Sequence, residues 1–287
     1  MNENILEVNN LQKRYTLFNL NKVNFSVKKG CITGFVGING AGKTTTIKSI
    51  ARLVIPDGGE IKLFGENLVY KNESKLKNRI GFLLDGDYFY SSITLLKMKK
   101  IFSKSYSSWN DNKFEYLIKT FNLPLNQKIS NLSKGMKIQF SLALALSHNA
   151  ELLIMDEPTS GLDPLVRSQL INIFKKLAEN GIGILFSTHI TSDLEKVAND
   201  IILIDNGNIL FQKNVSELRN THFVINDSID KLDNSTRNIF LKITENGNSF
   251  EGIYSGCKEK IYGNFPSGKI RKANIEDIMI GYIGGKK

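Results

Sequence analysis

The chain has 287 residues, a formal net charge of +10 and two cysteines. This length favours one large α/β domain with an appendage, or two domains. The two cysteines, Cys31 and Cys257, are too few for a disulfide framework, and they lack metal-ligand spacing. The first residues do not resemble a signal peptide, and no window holds about 18 uninterrupted apolar residues, which favours a cytoplasmic protein. The positive charge is scattered along the chain and suits binding to nucleic acid, nucleotide phosphates or an anionic membrane.

The first half of the chain alternates between strand and helix signals and then becomes helical. Short strands are predicted at residues 5–15 and within 23–40, followed by a helix over 43–54 and a turn and strand over 56–68. From about Ser91 to His148 the apolar spacing is helical throughout. We therefore expect an all-helical insertion in an α/β domain.

The second half restores the alternation of strands and helices. Strand 151–156, helix 164–180, strand 181–188 and helix 191–200 predict a parallel sheet with helical crossovers. Asn206-Gly207 and Asn246-Gly247 each indicate a hairpin. After about Ser216 the composition becomes polar and β-like, ending in a predicted helix near 274–283, so we place a domain boundary near residue 216.

The segment GINGAGKT, residues 37–44, has the spacing of a phosphate-binding loop between a strand and a helix. Gly37, Gly40 and Gly42 would let backbone N–H groups curl around phosphate oxygens, and Lys43 would reach the β and γ phosphates. The alternative is an ordinary glycine turn with a chance lysine, which the flanking strand and helix make less fitting.

Hydroxyl and carboxylate groups near this loop predict a magnesium site. The Thr44 hydroxyl can bind Mg²⁺, and Thr45 would lie behind it. Asp156 and Glu157 end a buried strand, and their side chains should diverge because neighbouring strand residues point to opposite faces. We assign Asp156 to the metal and Glu157 to the attacking water, although the pair alone would equally suit the end of a structural strand.

Several motifs together resemble the ATP-binding-cassette (ABC) ATPases over about residues 5–215. The motifs, in the family's order, are GINGAGKT, NLSKGMK at 131–137, LLIMDEP at 152–158, SGLD at 160–163, and the lone His189 in FSTHI. The resemblance implies an α/β P-loop NTPase core (residues 1–215) with a helical subdomain at about 86–149, and a small C-terminal α+β extension (216–287).

The resemblance also implies roles for individual residues. Tyr15 would stack on adenine, unless it is an ordinary half-buried strand-end tyrosine, and His189 would contact the γ-phosphate, unless it is a core histidine. His148 and His222 match no motif and are left as structural residues. The implied catalytic residues are Lys43, Glu157 and His189. The implied nucleotide-binding residues are Tyr15, Gly37, Asn39, Gly40, Ala41, Gly42, Lys43, Thr44, Thr45, Ser133 and Gly135. The implied magnesium ligands are Thr44, Asp85 and Asp156.

The NLSKGMK motif predicts a second helix start suited to phosphate. Ser133 should be the N-cap, and Gly135 follows it in the first turn of a strongly apolar helix. In this family that helix end serves ATP on a partner subunit. Two departures stand out: Asp85 occupies the position of the usual Gln and cannot donate a hydrogen bond to water, and Lys134 and Met136 replace commoner residues.

The resemblance implies the Mg²⁺-dependent ATPase subunit of an exporter for peptides, antibiotics or lipids. Its partners would be transmembrane permease subunits, which would dock near residues 87–98, and a second nucleotide-binding domain in a homodimer or heterodimer. It would lie at the cytoplasmic face of the membrane, and we expect no nucleic-acid partner. The alternatives are a soluble ABC ATPase acting on ribosomes or nucleic acid, and a regulatory nucleotide binder, which the presence of Glu157 and His189 disfavours.

Overall fold

The computed structural model describes residues 3–84 and 89–283, which form three sheets and their flanking helices. The strands are β1 Asn4–Arg14, β2 Asn19–Lys28, β3 Ile32–Val36, β4 Gly58–Leu63, β5 Glu66–Asn67, β6 Ile80–Leu83, β7 Leu152–Asp156, β8 Gly183–Thr188, β9 Asp200–Asp205, β10 Asn208–Asn214, β11 His222–Ser228, β12 Phe240–Asn246, β13 Ser249–Ser255 and β14 Lys269–Lys272. The α-helices are α1 Lys43–Ile50, α2 Glu73–Lys77, α3 Leu95–Ser105, α4 Asp111–Thr120, α5 Lys134–Ser147, α6 Pro164–Glu179, α7 Thr191–Val197, α8 Val215–Thr221, α9 Asn234–Arg237, α10 Lys258–Asn264 and α11 Ile275–Ile283.

The central sheet has the strand order β10-β9-β3-β8-β7-β6, with β10 antiparallel to β9 and the others parallel. Successive residues of its buried strands face opposite sides, as Phe35 and Val36 show by lying in different apolar clusters. One side is covered by α6, α7, α8 and α11, and the other by α1 and the antiparallel sheet β2-β1-β4-β5. The predicted parallel sheet with helical crossovers is confirmed.

The predicted helical insertion is also confirmed within the described residues from 89 onward. Helices α3, α4 and α5 pack around an apolar cluster that includes Met98, Phe114 and Phe140. The aromatic rings of Phe89 and Phe114 each lie within 6.4 Å of the Phe140 ring, measured between centroids. The strongly apolar sequence of α5 thus serves both this cluster and the central sheet.

The segment after residue 216 folds as a four-stranded antiparallel sheet of order β12-β13-β11-β14, with α9, α10 and α11 around it. Both predicted hairpins form: β9–β10 turns at Asn206-Gly207, and β12–β13 turns at Gly247-Asn248, directly after Asn246. The sheet has its own apolar cluster, centred on Phe240, Phe250 and Phe265. Along residues 3–84 and 89–283, no helix is both long enough and apolar enough to cross a bilayer.

The extension is joined to the central sheet through a shared core. Val215 and Leu218 of α8, and Ile275 and Ile278 of α11, belong to the same buried cluster as Phe186 of β8. The boundary predicted near residue 216 falls in the first turn of α8, and it stays a prediction.

Candidate functional site

Three polar segments meet at the carboxyl edge of the central sheet. Strands β3, β8 and β7 are parallel neighbours, so the segments that follow them emerge side by side. These segments are the glycine loop 37–42, His189, and the Asp156–Glu157 pair. The topology therefore brings together residues that are more than 100 positions apart in sequence.

The glycine loop has the backbone that its sequence predicts. Gly40 and Gly42 have φ angles of 81° and 115°, in the region that favours glycine. A Cβ atom at Gly37 would lie 2.3 Å from the Ile204 carbonyl oxygen, so the backbones approach too closely for a side chain. Gly42 is the N-cap of α1 and provides no side-chain cap, so the first N–H groups of α1 remain suited to an anion.

Lys43 reaches back across this loop. Its Nζ donates to the carbonyl oxygens of Gly37, at 2.8 Å, and Ile38, at 3.2 Å, and the residue is 7% exposed. Burial lowers the pKa of Lys43, while the carboxylates of Glu157 and Asp156 act in the opposite direction. The ammonium therefore lies between the phosphate loop and the two acids, where a phosphate group would complete its surroundings.

Asp156 and Glu157 have different partners, as their positions at a strand end predict. Asp156 is buried, and its carboxylate accepts a hydrogen bond from the Ser187 hydroxyl at 2.5 Å. Thr44, at the start of α1, is exposed, whereas Thr45 is half-buried. The Thr44 hydroxyl and the Asp156 carboxylate are oxygen donors of the kind that Mg²⁺ takes.

Glu157 contacts the histidine that follows the neighbouring strand. Its Oε2 lies 2.8 Å from Nδ1 of His189, and the two side chains are 15% and 52% exposed. The backbone N–H of Glu157 donates to Ser187, to both the carbonyl and the hydroxyl oxygen, at 3.1 Å each. Glu157 has a φ of 49°, which is uncommon for a residue with a side chain. The structure therefore pairs a carboxylate with an imidazole beside Lys43.

Ser187 is a residue that the sequence analysis missed. Its hydroxyl bonds to Asp156 and to the backbone of Glu157, and so it joins the two acids. The available signal was a polar residue inside the buried strand GILFST, two positions before His189. A buried hydroxyl needs a partner, and the ends of neighbouring strands were the place to look for it.

The turn that carries Tyr15 lies beside the phosphate loop. The Phe18 ring and the Leu20 side chain approach Gly42 so closely that a Cβ atom there would lie 2.8 Å and 2.7 Å from them. Tyr15 is 46% exposed and donates its backbone N–H to the Phe18 carbonyl at 2.8 Å. The position suits a flat partner such as adenine, and the role assigned to Tyr15 stays a prediction.

Ser133 and Gly135 lie in the helical subdomain rather than at the carboxyl edge of the sheet. Ser133 is the N-cap of α5, as predicted, and its hydroxyl accepts from the Met136 N–H at 3.3 Å. Gly135 is buried, and a Cβ atom there would lie 2.7 Å from Cγ1 of Val166 in α6. Ser133 is exposed, so this helix start is accessible from outside the subunit.

Two adjacent residues fix the start of α6. Asp163 is the N-cap, accepts from the N–H groups of Leu165 and Val166, and is followed by Pro164 in the first turn. Asp85, the third predicted magnesium ligand, lies outside the described residues, and its role stays a prediction.

Comparisons with known proteins agree with this arrangement. The family model described as "ABC transporter" matches residues 20–160. The bacitracin transport ATP-binding protein BcrA of Enterococcus faecalis is 36% identical over 221 residues, which are 75% of this chain and 71% of that protein. The chain belongs to the ABC transporter family. It is an ABC ATPase, and the described architecture is the α/β P-loop core of that family with a helical insertion.

Two further similarities extend this assignment. The linearmycin resistance ATP-binding protein LnrL of Bacillus subtilis (strain 168) is 33% identical over 214 residues, covering 72% of this chain and 68% of that protein. A solved structure described as the ATP-binding subunit of an ABC transporter has a TM-score of 0.68 and 30% identity, covering 75% of this chain and 92% of that one. Both are ATP-binding subunits of the same family.

Proposed function

We propose that this ABC ATPase is the Mg²⁺-dependent motor of an exporter and acts through separate transmembrane subunits. The observation that carries the proposal is the Glu157–His189 pair, at 2.8 Å, beside the Lys43 ammonium. A binding module that only senses a nucleotide needs the phosphate loop, but it does not need a carboxylate and an imidazole placed next to it. The site therefore supports turnover.

The residues present fit ATP and magnesium. The start of α1 has no side-chain cap, Lys43 lies inside the loop, and Thr44 is exposed beside it. Thr44 and Asp156 would hold the metal, directly or through water, since Mg²⁺ needs few protein ligands. When bound, the metal neutralises charge that develops on the transferred phosphoryl group.

The side chains divide the work of hydrolysis. Lys43 binds the β and γ phosphates and keeps them at the N-terminus of α1. Glu157 orients a water molecule and accepts its proton. The imidazole of His189 contacts both the Glu157 carboxylate and the γ-phosphate and fixes their relative positions. Ser187 fixes the Asp156 carboxylate and the Glu157 backbone through its two hydrogen bonds. In this way one carboxylate serves the metal and the other serves the water.

An apolar groove supports the proposed membrane partner. A cavity of about 330 Å³ lies between β6 and the helical subdomain, and its walls include Leu53, Phe89, Phe102 and Tyr106. A short helix of a transmembrane subunit would place apolar side chains against these aromatic rings. In the predicted docking segment 87–98, Phe89 lines this groove, and residues 87 and 88 lie outside the described part of the chain.

The relatives favour an antibiotic as the exported substrate. One is named for bacitracin transport and another for linearmycin resistance. We propose an amphipathic antibiotic or a lipid-like compound as the cargo, chosen by the membrane subunits. Growth inhibition by such compounds, in cells with and without this chain, tests this part of the proposal separately.

Two substitutions test the ATPase itself. Lys43→Ala should abolish nucleotide binding, because the phosphates lose their buried cation, whereas Glu157→Gln should bind ATP and turn it over at least about a hundredfold more slowly. Lys48→Ala, on the same helix, and Glu179→Gln, at the exposed end of α6, are the matched controls. Hydrolysis by Glu157→Gln at the wild-type rate would remove Glu157 from the mechanism.

A mixing experiment tests whether the subunits pair head to tail. Lys43→Ala and Ser133→Arg subunits should each be inactive alone, yet a mixed dimer would hold one site with a normal Lys43 and a normal Ser133. We therefore expect the mixture to recover ATP-driven dimerisation and part of the turnover. If Ser133 acts on its own subunit's nucleotide, both sites stay damaged and neither property returns.

A further inference from the structure

The helix that follows His189 is short and weakly capped. Helix α7 contains seven residues, Thr191–Val197, and its N-cap Ile190 makes no side-chain hydrogen bond to the first turn. Isolated helices of this length are unstable in water, so contacts with the rest of the protein must fix the position of α7. Those contacts also determine where the His189 imidazole lies, because only one residue separates it from the helix.

Three consecutive residues of α7 contact three different parts of the molecule. Leu194 is fully buried, and its methyl groups lie over Gly34 of β3. The Asp193 carboxylate is also buried and lies 3.2 Å from Nε of Arg167 in α6. Glu195 points towards the C-terminal extension. The helix is therefore attached to the sheet, to α6 and to the extension.

Glu195 makes the link to the extension through both carboxylate oxygens. Oε2 accepts from the Arg219 guanidinium of α8 at 2.6 Å, and the same guanidinium donates to the Glu195 carbonyl oxygen at 2.8 Å. Oε1 accepts from the backbone N–H of Ile275, the first residue of α11. One side chain thus joins α7 to α8 and to the first residue of α11.

The extension provides a firm attachment point. Ile275 and Ile278 of α11 are buried in the same cluster as Leu194 and Leu218. The Tyr282 ring packs on Phe211 of β10, with centroids 4.9 Å apart. The buried face of α11 is anchored in the core. A hydrogen bond from its first residue therefore restrains α7, because α11 does not move freely with α7.

We propose that Glu195 is a positioning residue for the hydrolytic site: it fixes α7 to the extension and thereby holds His189 against Glu157. This inference rests on the proposed function, and it gives the extension a part in catalysis without a residue of its own at the phosphates. The link between Glu195 and Ile275 also means that the helix at the far end of the chain contributes to the site.

The test compares Glu195→Ala with a matched variant of the extension. Glu245→Ala removes an ion pair of the same length, 2.6 Å to Arg237, that lies within the extension and does not reach α7. We expect Glu195→Ala to lower kcat about tenfold, the size expected from losing one charge-assisted hydrogen-bonded contact, with the KM for ATP within about twofold. Glu195→Gln keeps an acceptor for the Ile275 N–H and should recover most of the rate.

A second measurement does not depend on ATP hydrolysis. Amide hydrogen exchange in the nucleotide-free protein should become faster in residues 189–197 of Glu195→Ala and stay unchanged there in Glu245→Ala. The proposal is overturned if kcat of Glu195→Ala stays within about twofold of wild type, if Glu245→Ala or Glu195→Gln loses as much, or if exchange in 189–197 does not change. If the wild type hydrolyses no ATP, the proposed function fails, and exchange alone decides whether Glu195 holds α7.

Discussion

Position 135 requires glycine because a neighbouring side chain lies close to it, and not because of its backbone conformation. It lies in the first turn of α5, with helical geometry, and an added Cβ would lie 2.7 Å from Cγ1 of Val166. Val166 belongs to the first turn of α6, directly after the Asp163 cap. Two helix starts that carry motif residues are therefore in direct contact, and the glycine lets them approach.

Gly135→Ala should lower the stability of the protein by about 1–3 kcal/mol and reduce ATP turnover, because the added methyl group pushes α5 away from α6. Val166→Ala removes the obstructing methyl and should restore much of both properties in the double variant. Thermal unfolding and steady-state hydrolysis measure the two effects. Gly263→Ala is the control. Gly263 is also helical and has nothing within 4 Å of an added Cβ, so the substitution should slightly raise the stability of the protein.

At this scale the sequence identifies residues whose chemistry is local. Lys43 follows a recognisable glycine spacing, and Glu157 and His189 each directly follow a buried strand. The sequence indicates that Ser187 needs a partner but not which one, and it gives no sign of the contact of Gly135 with Val166, because each depends on two segments that are 30 or 31 positions apart in the chain meeting in space. The Glu195 link joins residues 80 positions apart and carries no motif.

Two Asn-Gly hairpins in this protein share a sequence signal but have different surroundings. Gly207 has a φ of 73°, and an added Cβ would lie 1.8 Å from the Asn19 carbonyl oxygen of β2. Gly247 has a φ of 60° with nothing within 4 Å. The first turn is packed against the antiparallel sheet, whereas the second projects into solvent.

Gly247→Ala should cost about 1–2 kcal/mol, the penalty of a left-handed backbone conformation, and Gly207→Ala should cost clearly more, because the backbone of β2 must also move. Urea unfolding of the two variants gives the comparison, since the same substitution is made at a left-handed glycine in each turn. Equal losses would mean that the β9–β10 turn can shift away from β2 at little cost.

Element types are easier to predict here than their pairing. The two hairpins, the helical insertion and the final helix follow from turn residues and apolar spacing. The order β12-β13-β11-β14 does not, because β11 pairs with β13 and β14 across the intervening segments, and short polar strands such as β14 (KIRK) give little signal. The helix predicted over 43–54 ends at Ile50, and a turn that includes Arg52 follows, with a φ of 53°.

Two of the three histidines, all in the described part of the chain, are buried, one on each side of the predicted boundary. His148 stacks on Tyr106, with ring centroids 3.9 Å apart, and its Nδ1 lies 3.0 Å from the Asn78 carbonyl oxygen. His222 lies 3.1 Å from the Leu218 carbonyl oxygen and 3.2 Å from the Tyr282 hydroxyl. Burial lowers the pKa of both from the ordinary value of 6.5.

The free energy of unfolding should therefore fall as the pH drops below about 6.5, because the unfolded chain takes up protons that the two folded histidines do not. Above that pH both states hold neutral imidazoles, and this contribution no longer changes. Unfolding by urea at several values between about pH 5.5 and 7.5 measures the slope. His148→Gln and His222→Gln, singly, should each reduce the slope; a slope unchanged in both variants would contradict the assignment.

The left-handed backbone conformation of Glu157 predicts which residue types selection would favour at position 157. A side chain at a φ of 49° costs about 1–2 kcal/mol relative to glycine, so the fold alone would favour glycine or asparagine there. A library of variants selected only for resistance to heat should accumulate those residues at position 157. A library selected for ATP hydrolysis should keep glutamate, and the two outcomes together would measure how much stability the molecule gives up for activity.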